Sequence, residues 1–190
     1  MTTSTASTPT LHRPRRRGKA SWNSLAKPLE EWLRLIQSSS GDLGEDSIRT
    51  IDSAMKKSTA LRDLLIISLL GKDDCRELDR IRTIFENPYA PNSVRVIRCN
   101  LEDAFAHPQD PEIRERCNRG LAILERAVRH VDRQKGASML AIITYIRWWM
   151  GDKSAYAWAQ ACLKRDSSCT LASIILSALE HGMFPSESKD

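Results

Sequence analysis

The chain has 190 residues, enough for one domain with a tail, and its 41% apolar share supports one core. The net charge of +5 belongs to the start: residues 1–20 hold Arg13, Arg15, Arg16, Arg17 and Lys19 and no acid, and without those five the basic and acidic groups balance. Apolar runs such as Leu64–Leu70 fall far short of the roughly 18–20 residues of a membrane span, and no apolar stretch follows the early arginines as in a secretory leader, which points to a soluble, cytoplasmic protein with no membrane contact.

Residues 1–20 are Ser/Thr-rich, then Arg-rich, with almost nothing to bury, so a disordered tail is expected. Its Arg13, Arg15, Arg16, Arg17 and Lys19 cluster suits either nucleic-acid phosphates or a purely solubilising role. A single α-helical domain is expected over 21–185, and 186–190 as a flexible C-terminus. Proline fits a first helical turn, so the first helix is placed at Pro28–Gln37, with Leu29, Trp32, Leu33 and Ile36 on one face. A second, over 45–57, carries acids in its first turn and buries Ile48, Ile51, Ala54 and Met55. The third, Thr59–Leu70, is apolar nearly all round and should be central, with Gly71 as its cap. Asp74 and Glu77 have the spacing of a capping box, which starts a fourth helix at 74–85 with Leu78, Ile81, Ile84 and Phe85 inward.

After the Asn87–Pro91 loop, a helix over 92–106 is read with Val94, Ile97, Leu101, Ala104 and Phe105 inward, although Val94–Ile97 also suits a short strand. Asp110 and Pro111 make an N-cap and first turn for the longest helix, 111–134, whose inward face is Cys117, Leu121, Leu124, Val128 and Val131. Its other face shows Arg119, Arg126, Arg129 and Arg133. The pairs Glu112–Arg116, Glu115–Arg119 and Glu125–Arg129 stand at i, i+4 with the acid first, the favourable order, which leaves Arg126 and Arg133 unbalanced.

A greasy helix, Met139–Met150, then stops at Gly151-Asp152. Its Thr144 and Arg147 share an edge expected at the surface. The next helix brings the small residues Ala155, Ala159 and Cys162 onto one face for close packing, and a third runs from Leu171 to Leu179. The fold class is therefore all-α, an irregular bundle of about seven to nine helices with a C-terminal hairpin. The five tryptophans suit core packing better than a ligand groove.

The Gly151-Asp152 turn, the alanines behind it and Asp166 ahead of Leu171-Ala172 make the hairpin resemble a tetratricopeptide-type helix pair. No second copy stands about 34 residues away, so no solenoid is expected. Leu61-Arg62-Asp63-Leu64-Leu65, followed by Trp149-Met-Gly-Asp152, Ala159, Leu163, Asp166, Leu179, Gly182 and Pro185, resembles the C-terminal half of an actinobacterial family, domain of unknown function 4192. The resemblance spans roughly 48–185. It implies an actinobacterial, cytoplasmic origin and supplies no activity or catalytic residue.

The four histidines lack metal-site spacing, and Walker, dinucleotide-binding and nucleophile-elbow motifs are absent from the sequence. The five cysteines are odd in number without a C-x-x-C pair and read as small buried hydrophobes in a reducing compartment. No enzyme activity, metal or cofactor is expected. The leading expectation is a non-catalytic protein–protein interaction or scaffold module whose unknown partner binds an edge at Arg147, Trp148 and Tyr156. A nucleic-acid-associated protein using the basic tail is the less favoured alternative. A helix-turn-helix over 45–70 is disfavoured by its apolar second helix. A truncated family member without independent activity is the third reading.

Overall fold

The computed structural model describes residues 21–38, 41–132 and 135–185. Among these residues the chain forms nine α-helices and no strand: α1 (Trp22–Gln37), α2 (Glu45–Met55), α3 (Thr59–Leu70), α4 (Leu78–Glu86), α5 (Pro91–Ala106), α6 (Pro111–His130), α7 (Ala137–Trp149), α8 (Ala155–Arg165) and α9 (Thr170–Glu180). The expected all-α bundle is what the chain adopts. Among the described residues no helix is long and apolar enough to cross a membrane.

The third helix occupies the centre that its composition dictates. Leu61 and every residue from Leu64 to Leu70 are buried, and α3 packs against α2, α4, α5, α6 and α7. Gly71 ends it through its N–H on the Ile67 carbonyl at 2.7 Å. Its φ of −81° is open to any residue, so a left-handed cap is not the reason for glycine. Space is the reason: a Cβ there would lie 2.7 Å from the Ile67 carbonyl oxygen and 2.9 Å from Asn100 Oδ1.

Two boundaries differ from expectation. The first helix begins at Trp22, and Pro28 lies inside it. An interior proline forfeits a backbone hydrogen bond and costs about 3 kcal/mol. Burial of Leu25 and the contact of Trp22 with Phe85 of α4, centroids 6.0 Å apart, offset that loss. At the fourth helix the expected capping box does not form. Asp73–Arg76 is a 3₁₀ turn with Cys75 fully buried, Asp74 accepts from Arg80 at 3.2 Å, and α4 starts only at Leu78.

The longest helix, α6, ends at His130 and buries Cys117, Leu121, Leu124 and Val128 as its pattern requires. Asp110 caps it, accepting from the N–H groups of Glu112 (2.9 Å) and Ile113 (3.1 Å). Its basic face is a set of clamps more than a solvated stripe. Arg116 turns into the core and donates to the carbonyls of Leu69 (2.7 Å) and Gly71 (2.9 Å) at the end of α3. Arg119 pairs with Glu115 as expected, and its Nε also holds the Ile36 carbonyl of α1 at 2.8 Å. Arg126, expected to be unbalanced, is ion-paired with Asp42. Arg133 and the cluster Arg13, Arg15, Arg16, Arg17 and Lys19 lie outside the described residues.

The start of α7 is fixed by a buried acid. Asp52 of α2 is 3% exposed and accepts from the Gly136 N–H at 3.0 Å, while Lys56 neutralises its other oxygen at 2.9 Å. Gly136 has φ +78°, the left-handed region where a side chain is disfavoured. Thr144 does not reach the surface: it is fully buried, and its hydroxyl is satisfied by the Leu140 carbonyl at 2.8 Å. The helix closes in a left-handed Gly151 (φ +76°), with Asp152 N–H returning to the Arg147 carbonyl at 2.8 Å.

Candidate interaction surface

The apolar residues of α5 do not all face inward. Ser93, Val96, Asn100 and Ala104 form the buried stripe, and Val94 and Phe105 are 50% and 38% exposed. Ile97 and Leu101 sit between, half-buried at the edge of the core. The rotation has a polar cause. Asn100 accepts the Lys72 N–H at 3.0 Å through Oδ1 and donates to the Val96 carbonyl at 2.9 Å, so it completes the backbone just past α3. Asn100 must face α3 to do this, and the small Ser93 and Ala104 let the helices approach. The larger apolar side chains are thereby left on the rim. A spacing signal for this was present in the sequence, since Ser93, Val96, Asn100 and Ala104 also recur at helical intervals.

The outcome is an uncovered apolar strip. It starts at Tyr89, 89% exposed, follows Val94, Ile97, Leu101 and Phe105, and continues onto α7 through Trp148, whose ring centroid is 6.0 Å from that of Phe105. Trp148 is half-buried, with Tyr145 edge-on at 5.7 Å, and its Nε1 donates to the Met183 carbonyl at 2.7 Å. Met183 is itself 55% exposed. Three of the six exposed large apolar residues among those described, Tyr89, Val94 and Phe105, thus line one groove. Contiguous apolar surface of this kind marks interaction sites more often than scattered exposed residues do.

The three residues expected at a partner-binding edge differ in their surroundings. Trp148 joins the strip. Tyr156 is exposed on α8, and Arg147 is engaged internally. The guanidinium of Arg147 reaches Glu125 of α6 at 2.5 Å, Asp152, and Ser154 at 3.1 Å, and stacks 5.7 Å over the Trp158 ring. Partial burial alone would lower the Arg147 pKa, but the hydrogen bonds and charges of Glu125 and Asp152 outweigh it and raise the value. Burial likewise opposes ionisation of Asp152, yet the Ser154 N–H and hydroxyl, with Arg147, hold its carboxyl below the ordinary range.

A depressed carboxyl pKa stabilises the fold above the unfolded value, about 3.9, and that contribution disappears as pH falls through the folded value. Asp152→Asn therefore destabilises the chain near neutral pH. The gap between variant and parent closes below about pH 4 in urea titrations run across that range.

Among the described residues no group of three or more His, Cys, Asp or Glu side chains is placed to hold a metal ion. Compared with models of known protein families, curated proteins and solved structures, the chain matches none.

Proposed function

We propose that the chain is a non-catalytic helical interaction module, and that its docking surface is the α5 strip occupied by a second copy of the same strip. The observation that supports this reading is an amphipathic helix packed on its small, polar side with its larger apolar residues uncovered. Val94, Ile97 and Leu101 follow the three-then-four spacing of a helix–helix seam. A two-fold axis brings identical surfaces together, so the strip has to complement itself. Its rim does: Arg98 and Glu102, paired within one helix at 3.6 Å, carry opposite charges. An antiparallel α5 pair centred near residues 99 and 100 sets Ile97 beside Leu101 of the second copy and Arg98 beside Glu102.

Sedimentation equilibrium of the full chain is expected to show a concentration-dependent dimer. Measurement up to about 1 mM registers associations as weak as about 4 kcal/mol. Val94→Glu changes an exposed position and should abolish the dimer while leaving helicity and thermal midpoint intact. Arg98→Glu should weaken it, and adding Glu102→Arg should restore it. A chain that stays monomeric throughout that range overturns self-association.

A further inference from the structure

Three chain turns, α2 to α3, the entry to α7, and α8 to α9, meet around a surface cavity of about 750 Å³. None of its lining residues belongs to α5, so it is separate from the apolar strip. Among the described residues its wall is rich in cations. Lys56 and Lys57 come from just past α2, Arg62 from α3 and Arg165 from the last turn of α8, beside a single acid, Asp166. The buried Met55 and Ala141 form its floor. A few charged groups over an apolar base make a small-molecule site, and the volume lies within the usual range of roughly 300–1,000 Å³.

These cations are not all neutralised within the fold. Lys56 pairs with Asp52 at 2.9 Å, and Arg62 spends Nε and Nη2 on Asp63, which leaves Nη1. Arg165 donates to the Lys135 carbonyl at 2.7 Å and has no carboxylate partner among the described residues. Lys57 is exposed and has no hydrogen-bond or ion-pair partner among them. Asp166 is engaged by its own loop, accepting from the Ser168 N–H at 3.0 Å and hydroxyl at 2.6 Å. Four cations thus meet three carboxylates, Asp52, Asp63 and Asp166, and the site keeps a net positive charge. The starts of α3, α7 and α9 add to it, since each borders the cavity and none has a side-chain cap. The starts of α6 and α2, by contrast, are answered by the carboxylates of Asp110 and Glu31.

We propose that this cavity binds a small organic phosphate, with the phosphate held among Lys57, Arg62 and Arg165 and the organic part over Met55 and Ala141. A phosphate offers several acceptor oxygens to donors that approach from separate directions, and arginine forks match them. Inorganic phosphate alone would leave most of the cavity empty, so the ligand carries a further group.

The test is calorimetric titration of the full chain in phosphate-free buffer, with ribose 5-phosphate, inorganic phosphate and ribose as probes. Ribose 5-phosphate should saturate with a Kd below about 1 mM, inorganic phosphate should bind about tenfold more weakly, and ribose should not bind within about 10 mM. Added sodium chloride should weaken the binding, because the cations are partly exposed. Lys57→Glu should raise the Kd about tenfold or more and leave the thermal midpoint in place, since the Lys57 side chain is unbonded. Lys57→Gln, which removes the charge without placing an acid beside the end of α2, should fall between. Lys153→Glu makes the same charge change at an exposed position between α7 and α8, outside the cavity, and should leave the Kd unchanged. No saturable binding of ribose 5-phosphate within about 10 mM, binding that ribose shares, or equal losses in Lys57→Glu and Lys153→Glu would each overturn the proposal. Binding that survives Lys57→Glu intact, as it would if the cluster from Arg13 to Lys19 were responsible, overturns it as well.

Discussion

Trp149→Ala should cost about 3–5 kcal/mol, the largest single-residue loss expected in the chain. Trp149 is fully buried near the end of α7, a helix that packs against α6, α8 and α9. A buried tryptophan removes roughly 150–250 Å² from water, and truncation there leaves a void that the helices around it would have to move to fill. In a domain of this size the midpoint of thermal unfolding should fall by roughly 10 °C. Urea titration with an unchanged slope would confirm that the native state, and not the unfolded one, has altered. Trp158→Ala is the internal control: Trp158 is half-buried, stacked beneath Arg147, and its loss should be clearly smaller. Trp149→Phe is informative in a different way. The indole Nε1 of Trp149 is buried with no hydrogen-bond partner among the described residues. An orphaned donor of this kind costs about 1–3 kcal/mol, so removing it offsets part of the volume lost to phenylalanine. The Phe variant should therefore stand much closer to the parent than to the Ala variant. Equal losses for Phe and Ala would mean that the site tolerates no change of shape and that the orphan carries no penalty.

The sequence was legible where one face of a helix is apolar and the other polar. The buried stripes of α2, α6 and α8 are those their spacing indicates, and α3 is central because it has no polar face to offer water. Legibility failed where a polar side chain serves the backbone of another helix. Asn100 reads as a surface residue by composition, yet its amide completes the chain end after α3 and turns α5 so that Val94 and Phe105 face outward. Thr144 reads as an edge marker but bonds within its own helix and needs no water. The uncovered apolar strip was hidden for the same reason: every one of its α5 residues was visible, and only the rotation of the helix that carries them was not. Trp148 could be singled out from its place beside Gly151. The Phe105 ring that connects it to the strip belongs to a helix far away in the sequence, and local spacing carries no record of that meeting.

Arg116→Met should destabilise the chain by about 3 kcal/mol, nearly as much as emptying a core position, although the variant keeps a side chain of similar length. Spacing on α6 assigns Arg116 to a surface pair with Glu112, but it is 7% exposed and turned toward α3. The physical demand comes from α3. A helix leaves its last carbonyls without partners, and an end buried among other helices has no water to supply them. Arg116 takes that role, donating Nε to Leu69 and Nη2 to Gly71, while Arg76 adds a second bond to the Gly71 oxygen at 2.7 Å. The positive charge also complements the negative end of the helix dipole. Methionine preserves the packing of the stem and removes the donors, so its cost isolates the cap from the hydrophobic contribution. Lysine should rescue only part of the loss, because one ammonium cannot reproduce the planar fork that reaches two carbonyls. The effect should persist at high salt, which screens surface pairs and not buried ones. Arg76→Met combined with Arg116→Met should be worse than the two losses added, since either arginine alone still satisfies Gly71 and the double variant leaves that oxygen bare. Strict additivity, or a loss that disappears in high salt, would place Arg116 back on the surface with Glu112.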